Sequence, residues 1–161
     1  MMKNKQEVKE SIIALINKDL SENVVDINLL PASGSSRVYY RIKTDNNNTY
    51  IATYNSNIEE NNAFLSFSNH FKNIELPVPE ILAVNTEKDC YIQSDFGDTS
   101  LFSYVQDCVK NNLYDEKTIN LYKDSISNLV DFQIKGNTNL DYSVAYPSAS
   151  FDRNSVIDDL N

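Results

Sequence analysis

Val8, Ile12, Ile16 and Leu20 recur every fourth residue, joined by Ile13 and Leu15, with Lys and Glu filling the positions between. That spacing predicts an amphipathic opening helix. After Asn23 the pattern shortens to β-prone runs, Val38–Ile42 and Tyr50–Tyr54, separated by the polar tract Asp45–Asn48, which reads as a hairpin loop. From Ile58 to Phe71, the residues Phe64, Phe67 and Phe71 fall at helical spacing behind the acidic pair Glu59 and Glu60. A second helix is expected there, and Pro77 and Pro79 bar its continuation. Ile81–Val84 and Cys90–Gln93 then suggest two strands around the turn Thr86–Asp89.

Beyond this point no further strands are expected. Leu101, Phe102, Val105 and Val109 form one helical stripe. Ile119, Tyr122, Ile126, Leu129, Val130 and Gln133 form another, ending at Gly136-Asn137. The stretch from Asp141 to Asn161 contains Pro147 and a weak helical start at Ser155–Ile157. The order is helix, strand pair, helix, strand pair, helices, which is an α+β layout with a small antiparallel sheet before an α-rich part. The sheet gains a fifth strand if Ile27–Leu30 supplies its first. The chain divides into a helix over residues 1–22, a sheet-bearing part over 23–97 and a helical part over 98–161. No internal repeat is visible.

The chain of 161 residues fits one globular domain, and its net charge of −9, from 14 Lys+Arg against 23 Asp+Glu, narrows the possible partners. No stretch supplies the basic face that a phosphate backbone requires, so nucleic acid is not expected. The charged start, Met1–Glu10, lacks an apolar h-region, and no run approaches the ~18 apolar residues of a membrane span. No membrane association and a cytoplasmic location are therefore expected. Cys90 and Cys108 read as two buried free thiols rather than a metal site or disulfide framework.

Three segments carry candidate chemistry. Pro31–Arg37 is a run of small residues closed by a base. Small side chains let backbone N–H groups approach an anion, and such a strand–loop–strand can cover nucleotide phosphates. It lacks the Walker ending and is also compatible with an ordinary hairpin turn. Glu60, or Glu59, opens the helix after the first strand pair. A helix glutamate there can pair with a base that orients phosphates, or it can simply complement the helix dipole. The third segment, Tyr91–Asp98, runs from a strand through a turn to a helix starting near Ser100. Its Asp95-Phe96-Gly97 is not read as a metal-binding triplet, because it precedes every candidate catalytic loop. By comparison with protein-kinase lobes, it would stand where the hinge between lobes belongs. If Ile92 plays gatekeeper there, the Gln93 carbonyl and Asp95 N–H become the expected adenine contacts.

His70, the only histidine, is followed two residues later by Lys72, so the chain has no His-x-Asp loop. A packed or solvated helix histidine is expected. No nucleophilic triad or metal-ligand cluster can be assembled, and Asp158-Asp159 lie at the C-terminal end.

Taken in order, Ala32–Arg41, Tyr50–Ala52, Glu60–Phe64, Leu76–Ile81 and Tyr91–Leu101 resemble the start of the aminoglycoside phosphotransferase and choline kinase-like family. Within it they are most similar to the bacterial branch of amino-sugar (N-acetylmuramate type) anomeric kinases. The resemblance spans roughly residues 25–135. It implies a protein-kinase-like small lobe of five strands and one helix, clamping ATP against a helical lobe of which only the first helices are present. Ser33, Gly34, Ser35 and Ser36 would cover the phosphates, Glu60 would be the helix glutamate, and Gln93 and Asp95 would hold adenine.

Two departures from that family stand out. Thr53 occupies the place of the third-strand lysine, so Arg37 or Arg41 would supply the charge; Arg37 is nearer the loop. The family's His-Gly-Asp loop, its Asn and its later metal-binding Asp have no counterpart here, so the Mg²⁺ ligands and the group that orients the acceptor hydroxyl are expected outside this chain. The resemblance implies transfer of the γ-phosphoryl group of ATP to a hydroxyl of a sugar, amino sugar or similar alcohol, with this chain inactive alone. A stand-alone, non-catalytic nucleotide- or protein-binding module is the alternative. The helices from Leu101 to Gln133 are expected to expose an apolar face.

Overall fold

The computed structural model describes residues 3–32, 34–111, 116–150 and 157. Helix α1 (Lys5–Leu15) runs into a π-helical turn at Ile16–Leu20, which ends at Ser21 with φ 56°. Strands β1 (Val24–Leu29), β2 (Val38–Thr44) and β3 (Thr49–Tyr54) follow, then α2 (Ile58–Asn73), β4 (Ile81–Val84) and β5 (Cys90–Ser94). Helices α3 (Leu101–Lys110) and α4 (Glu116–Ile134) and a 3₁₀ turn at Tyr142–Val144 complete the described elements. The fold is α+β, with all five strands in one antiparallel sheet of order β1-β2-β3-β5-β4.

The first strand begins earlier than Ile27–Leu30 suggests, at Val24. It is an edge strand with a bulge between Val24 and Asp26, and Val25 and Leu29 are exposed, so its residues do not alternate cleanly. The expected hairpin loop is present: Asn47 adopts φ 61°, and its N–H donates to Thr44 O over 3.0 Å. Asparagine tolerates this left-handed conformation better than most residues. The weak helical start at Ser155–Ile157 and the pair Asp158-Asp159 lie outside the described residues, save Ile157, which is helical.

Register sorts the central strands onto two faces. Tyr40, Ala52 and Ile92 align across β2, β3 and β5, as do Val38, Tyr54 and Cys90. This face meets α1 and the turn that follows it, where Val8, Ile12, Leu15 and Ile16 join Tyr40, Ile42, Ala52, Tyr54 and Ile92 in one core. The stripe on α1 is narrower than its sequence suggests, since Ile13 faces outward and Leu20 is only partly buried. Asn4 caps α1 by accepting from the N–H groups of Gln6 and Glu7, while the Glu7 carboxylate accepts from Asn4 N–H over 2.7 Å. An ion pair of 2.9 Å between Lys3 and Asp89 ties the start of the helix to the β4–β5 turn.

The opposite face aligns Tyr39 with Thr53 and Tyr91, and Arg41 with Ile51 and Gln93. Helix α2 packs here through Phe64, whose ring stacks on Tyr91 with centroids 5.3 Å apart. Its Asn61 is fully buried, and Nδ2 donates to the carbonyls of Asn55 and Lys88, each over 2.8 Å. That pins the first turns of α2 to the loops at one end of the sheet.

Helix α2 meets the later part of the chain at the 3₁₀ turn Tyr142–Val144 and through Phe71 and His70. Phe71 meets Phe132 edge-to-face at 5.3 Å, and His70 Nε2 donates to Gly136 O over 3.0 Å. A Cβ on Gly136 would collide with the Phe132 carbonyl and press on Phe71. The α3–α4 pair exposes Phe102, Ile119, Tyr122, Ile126 and Leu129, so the expected apolar face is present. Among the described residues no helix is long and apolar enough to cross a membrane.

Because α1 shares the core of the sheet, Ile12→Ala should cost about 2–5 kcal/mol in urea unfolding. Ile126→Ala, on the exposed face of α4, should change stability by no more than about 0.5 kcal/mol. Equal effects of the two would contradict this division.

Candidate functional site

Two arginines four residues apart on β2 and the loop before it sort the chemistry of the second face. Arg37 lies just before β2, and its Nη2 meets Glu60 Oε1 at 2.9 Å. The guanidinium carbon sits 5.0 Å from the centroid of the Phe64 ring, an attraction worth about 0.5–2 kcal/mol depending on desolvation. Glu60 is held from its own side: its N–H donates to Asn57 Oδ1 over 3.1 Å, and its Oε2 accepts from Asn55 Nδ2 over 3.0 Å. Glu59 is exposed, so Glu60 is the helix glutamate of this arrangement. Arg37 Nε is buried and has no acceptor among the described residues. A buried donor on a cation is costly to leave unmet.

Arg41 is committed elsewhere. Its Nη2 donates to Asp95 Oδ1 over 3.1 Å, its Nε lies 2.7 Å from Asp95 Oδ2 in an ion pair, and Nη1 meets Asp98 Oδ1 at 2.6 Å. Asp95 is 5 % exposed at its side chain, and its Oδ1 also accepts from Gly97 N–H over 2.8 Å. Gly97 has φ +80°, a conformation that favours glycine. The Asp95-Phe96-Gly97 triplet is therefore a turn locked by its own aspartate and by Arg41, and the carboxylate is not free for a metal. Burial alone would raise the Asp95 pKa, but the Gly97 N–H and the Arg41 guanidinium outweigh it and hold the group below its ordinary value.

Around these anchors lie two openings. One, of about 400 Å³, lies at the end of β5, with Leu30, Pro31, Tyr39, Ile51, Gln93 and Phe96 in its walls. The other, of about 450 Å³, lies beside Arg37 and Glu60 and is lined by Ser35, Ser36 and Phe64 among others. The loop between β1 and β2 contributes to both.

Of the residues singled out in the sequence, Ser33 lies outside the described residues. Gly34, Ser35 and Ser36 form an exposed bend. Open space surrounds Gly34 where a Cβ would sit, so neither crowding nor a left-handed backbone demands glycine there. One backbone donor at this loop is already used: Arg37 N–H donates to Ser35 Oγ over 3.0 Å. Thr53, in place of a lysine, is fully buried. Gln93 faces the β5 opening, and its Oε1 is buried without a partner among the described residues.

Ile92 does not face that opening. It lies in the α1 core, fully buried beside Tyr40 and Ala52. The period of two that sends Tyr91 and Gln93 to one face sends Ile92 to the other. Ile92 therefore does not gate this opening.

Phe64, Asn55 and Asp98 complete the site without having been assigned roles by sequence reasoning. Phe64 carries a helix-stripe signal, but nothing in its spacing announces an arginine above the ring. His70 is packed, as expected of a helix histidine. Both cysteines are free and buried, and burial pushes the Cys90 thiol up to about 12. Among the described residues no group of three His, Cys, Asp or Glu could hold a metal. The chain matches no known protein-family model, and no curated protein matches it.

A depressed carboxylate stabilises the fold most where it is ionised in both states. For Asp95 that contribution is complete above the ordinary value of 3.8 and is lost as pH falls through the lower folded value. Urea midpoints measured from pH 7 to pH 2 should therefore fall below about pH 4, and less steeply in Asp95→Asn. Identical acid limbs would contradict the Arg41–Asp95 anchor.

Proposed function

We propose that this chain is the ATP-binding part of a phosphotransferase that moves the γ-phosphoryl group of ATP to a hydroxyl of a sugar, amino sugar or similar alcohol. The reading places it in the aminoglycoside phosphotransferase and choline kinase-like family, near the amino-sugar kinases, and in the cytoplasm. One observation carries it. A base beside a small-residue loop reaches the glutamate of α2 on the same face of the sheet, Arg37 to Glu60 at 2.9 Å, and its buried Nε has no acceptor among the described residues. The five-stranded antiparallel sheet with α2 on its Arg37 face supports the same reading.

In this account Arg37, fixed by Glu60 and Phe64, takes the role of the absent third-strand lysine. A charge held in place before the nucleotide arrives loses little entropy on binding, which favours catalysis by positioning and charge neutralisation. Arg41 is the anchor of the hinge rather than a phosphate ligand, because Asp95 and Asp98 occupy its nitrogens. The opening of about 400 Å³ beside Leu30, Ile51 and Gln93 has room for a purine.

With Gln93 in place of Ile92 as gate residue, the adenine-facing groups move one position along, to the Ser94 carbonyl and Phe96 N–H. Asp95 then serves adenine indirectly, by fixing the turn. The described residues do not fit a resident Mg²⁺, since they contain no ligand cluster for it.

Mg-ATP should raise the melting temperature. At about a hundredfold excess over Kd the stabilisation is about 2.7 kcal/mol, several degrees for a chain of this size. Arg37→Ala should weaken ATP about tenfold or more, as expected for losing a charge-assisted bond. No shift at millimolar Mg-ATP, or an undiminished shift in Arg37→Ala, would overturn the proposal.

A further inference from the structure

A third cavity, of about 320 Å³, lies under the first turns of α1, between the helix and the β1–β2 loop. Its floor is core: Val8, Tyr40 and Tyr54 are all buried. Lys3, Lys5 and Arg37 stand among its lining residues, and no Asp or Glu does, in a chain where acids outnumber bases by 23 to 14. The Lys3 amino group is neutralised by Asp89 and Arg37 by Glu60, whereas Lys5 has no carboxylate partner among the described residues. Apolar walls with one uncompensated cation at the mouth suit a ligand with an apolar body and a single negative charge. The volume falls at the small end of ligand cavities, about 300–1,000 Å³, which excludes a two-chain lipid.

From this geometry we propose that the cavity under α1 is a binding site for a small amphiphilic carboxylate, its apolar body against Val8, Tyr40 and Tyr54 and its charge toward Lys5. The site is separate from the openings beside Glu60 and Gln93 and does not depend on the nucleotide reading. It does share a wall with them. Leu30, Pro31 and Tyr39 also line the opening at β5, and Ser36 and Arg37 also line the one at Glu60. A ligand here therefore touches the partition from behind, and its arrival should register at Arg37.

The test is an NMR titration of the ¹⁵N-labelled chain with octanoate, 3-phenylpropanoate and the neutral octan-1-ol. At least one of the two carboxylates should give saturable shifts at the amides of Val8, Leu30, Val38 and Tyr54 and at Arg37 Nε–H, with a Kd about fivefold or more below that of octan-1-ol. Lys5→Glu, at an exposed position, should weaken the carboxylate about fivefold while leaving the alcohol unchanged. Ser56→Phe, at the exposed rim, should abolish binding of both by filling the mouth. Absence of saturable shifts up to about 5 mM of either carboxylate, or binding of octan-1-ol as tight as that of the carboxylates, overturns the proposal.

Discussion

The antiparallel register of β2, β3 and β5 is the constraint on which the rest of the molecule depends. Side chains alternate along a strand with a period of two, so a pairing that aligns Tyr40, Ala52 and Ile92 also aligns Tyr39, Thr53 and Tyr91 on the other side. One set is apolar enough to hold α1. The other carries Arg41 and Gln93 and meets α2 through Tyr91 and Phe64. A slip of one residue would bury Arg41 in the α1 core and expose Ile42, so the hydrophobic burial that fixes the register also fixes where the charges stand.

The spacing of Arg37 and Arg41 turns that register into a division of labour. Both fall on the α2 side, about two strand repeats apart, but they meet different carboxylates. Arg41 lies over the end of β5 and is consumed by Asp95 and Asp98, which fixes the turn leading to α3. Arg37 lies over α2, where Glu60 takes one nitrogen and Phe64 supports the plane. The first arginine shapes the wall of an opening, and the second is a positioned charge at the mouth of another. Asn55 and Asn57 hold Glu60 from behind, so the pair is part of a network rather than an isolated surface contact.

Most of the elements were legible because their hydrophobic periods are long or bounded by strong punctuation. The α2 stripe follows an acidic first turn and stops before Pro77 and Pro79, and the β2–β3 hairpin is marked by its Asn-rich loop. The edge strand β1 was less legible, since a strand half in water carries no clean alternation and its bulge breaks what remains. Ile92 shows a deeper limit. Cys90, Tyr91 and Ile92 are all buried, so both faces of β5 are apolar and the sequence holds no sign of which residue faces the opening. Only the pairing with β3 decides it. Arg37 and Arg41 look alike in sequence, and the engagement of Arg41 by two aspartates more than fifty residues away carries no local signal.

The central claim is that the fixed Arg37–Glu60 pair marks the phosphate end of an ATP site whose base end lies against Ile51 and Gln93. A crystal structure of the chain with Mg²⁺ and a non-hydrolysable ATP analogue tests it most directly. The account predicts the purine between Leu30 and Ile51 beside the Ser94–Phe96 backbone, with a phosphate oxygen on the Arg37 guanidinium. A nucleotide bound away from Arg37, or a site that stays empty at saturating analogue, would contradict it.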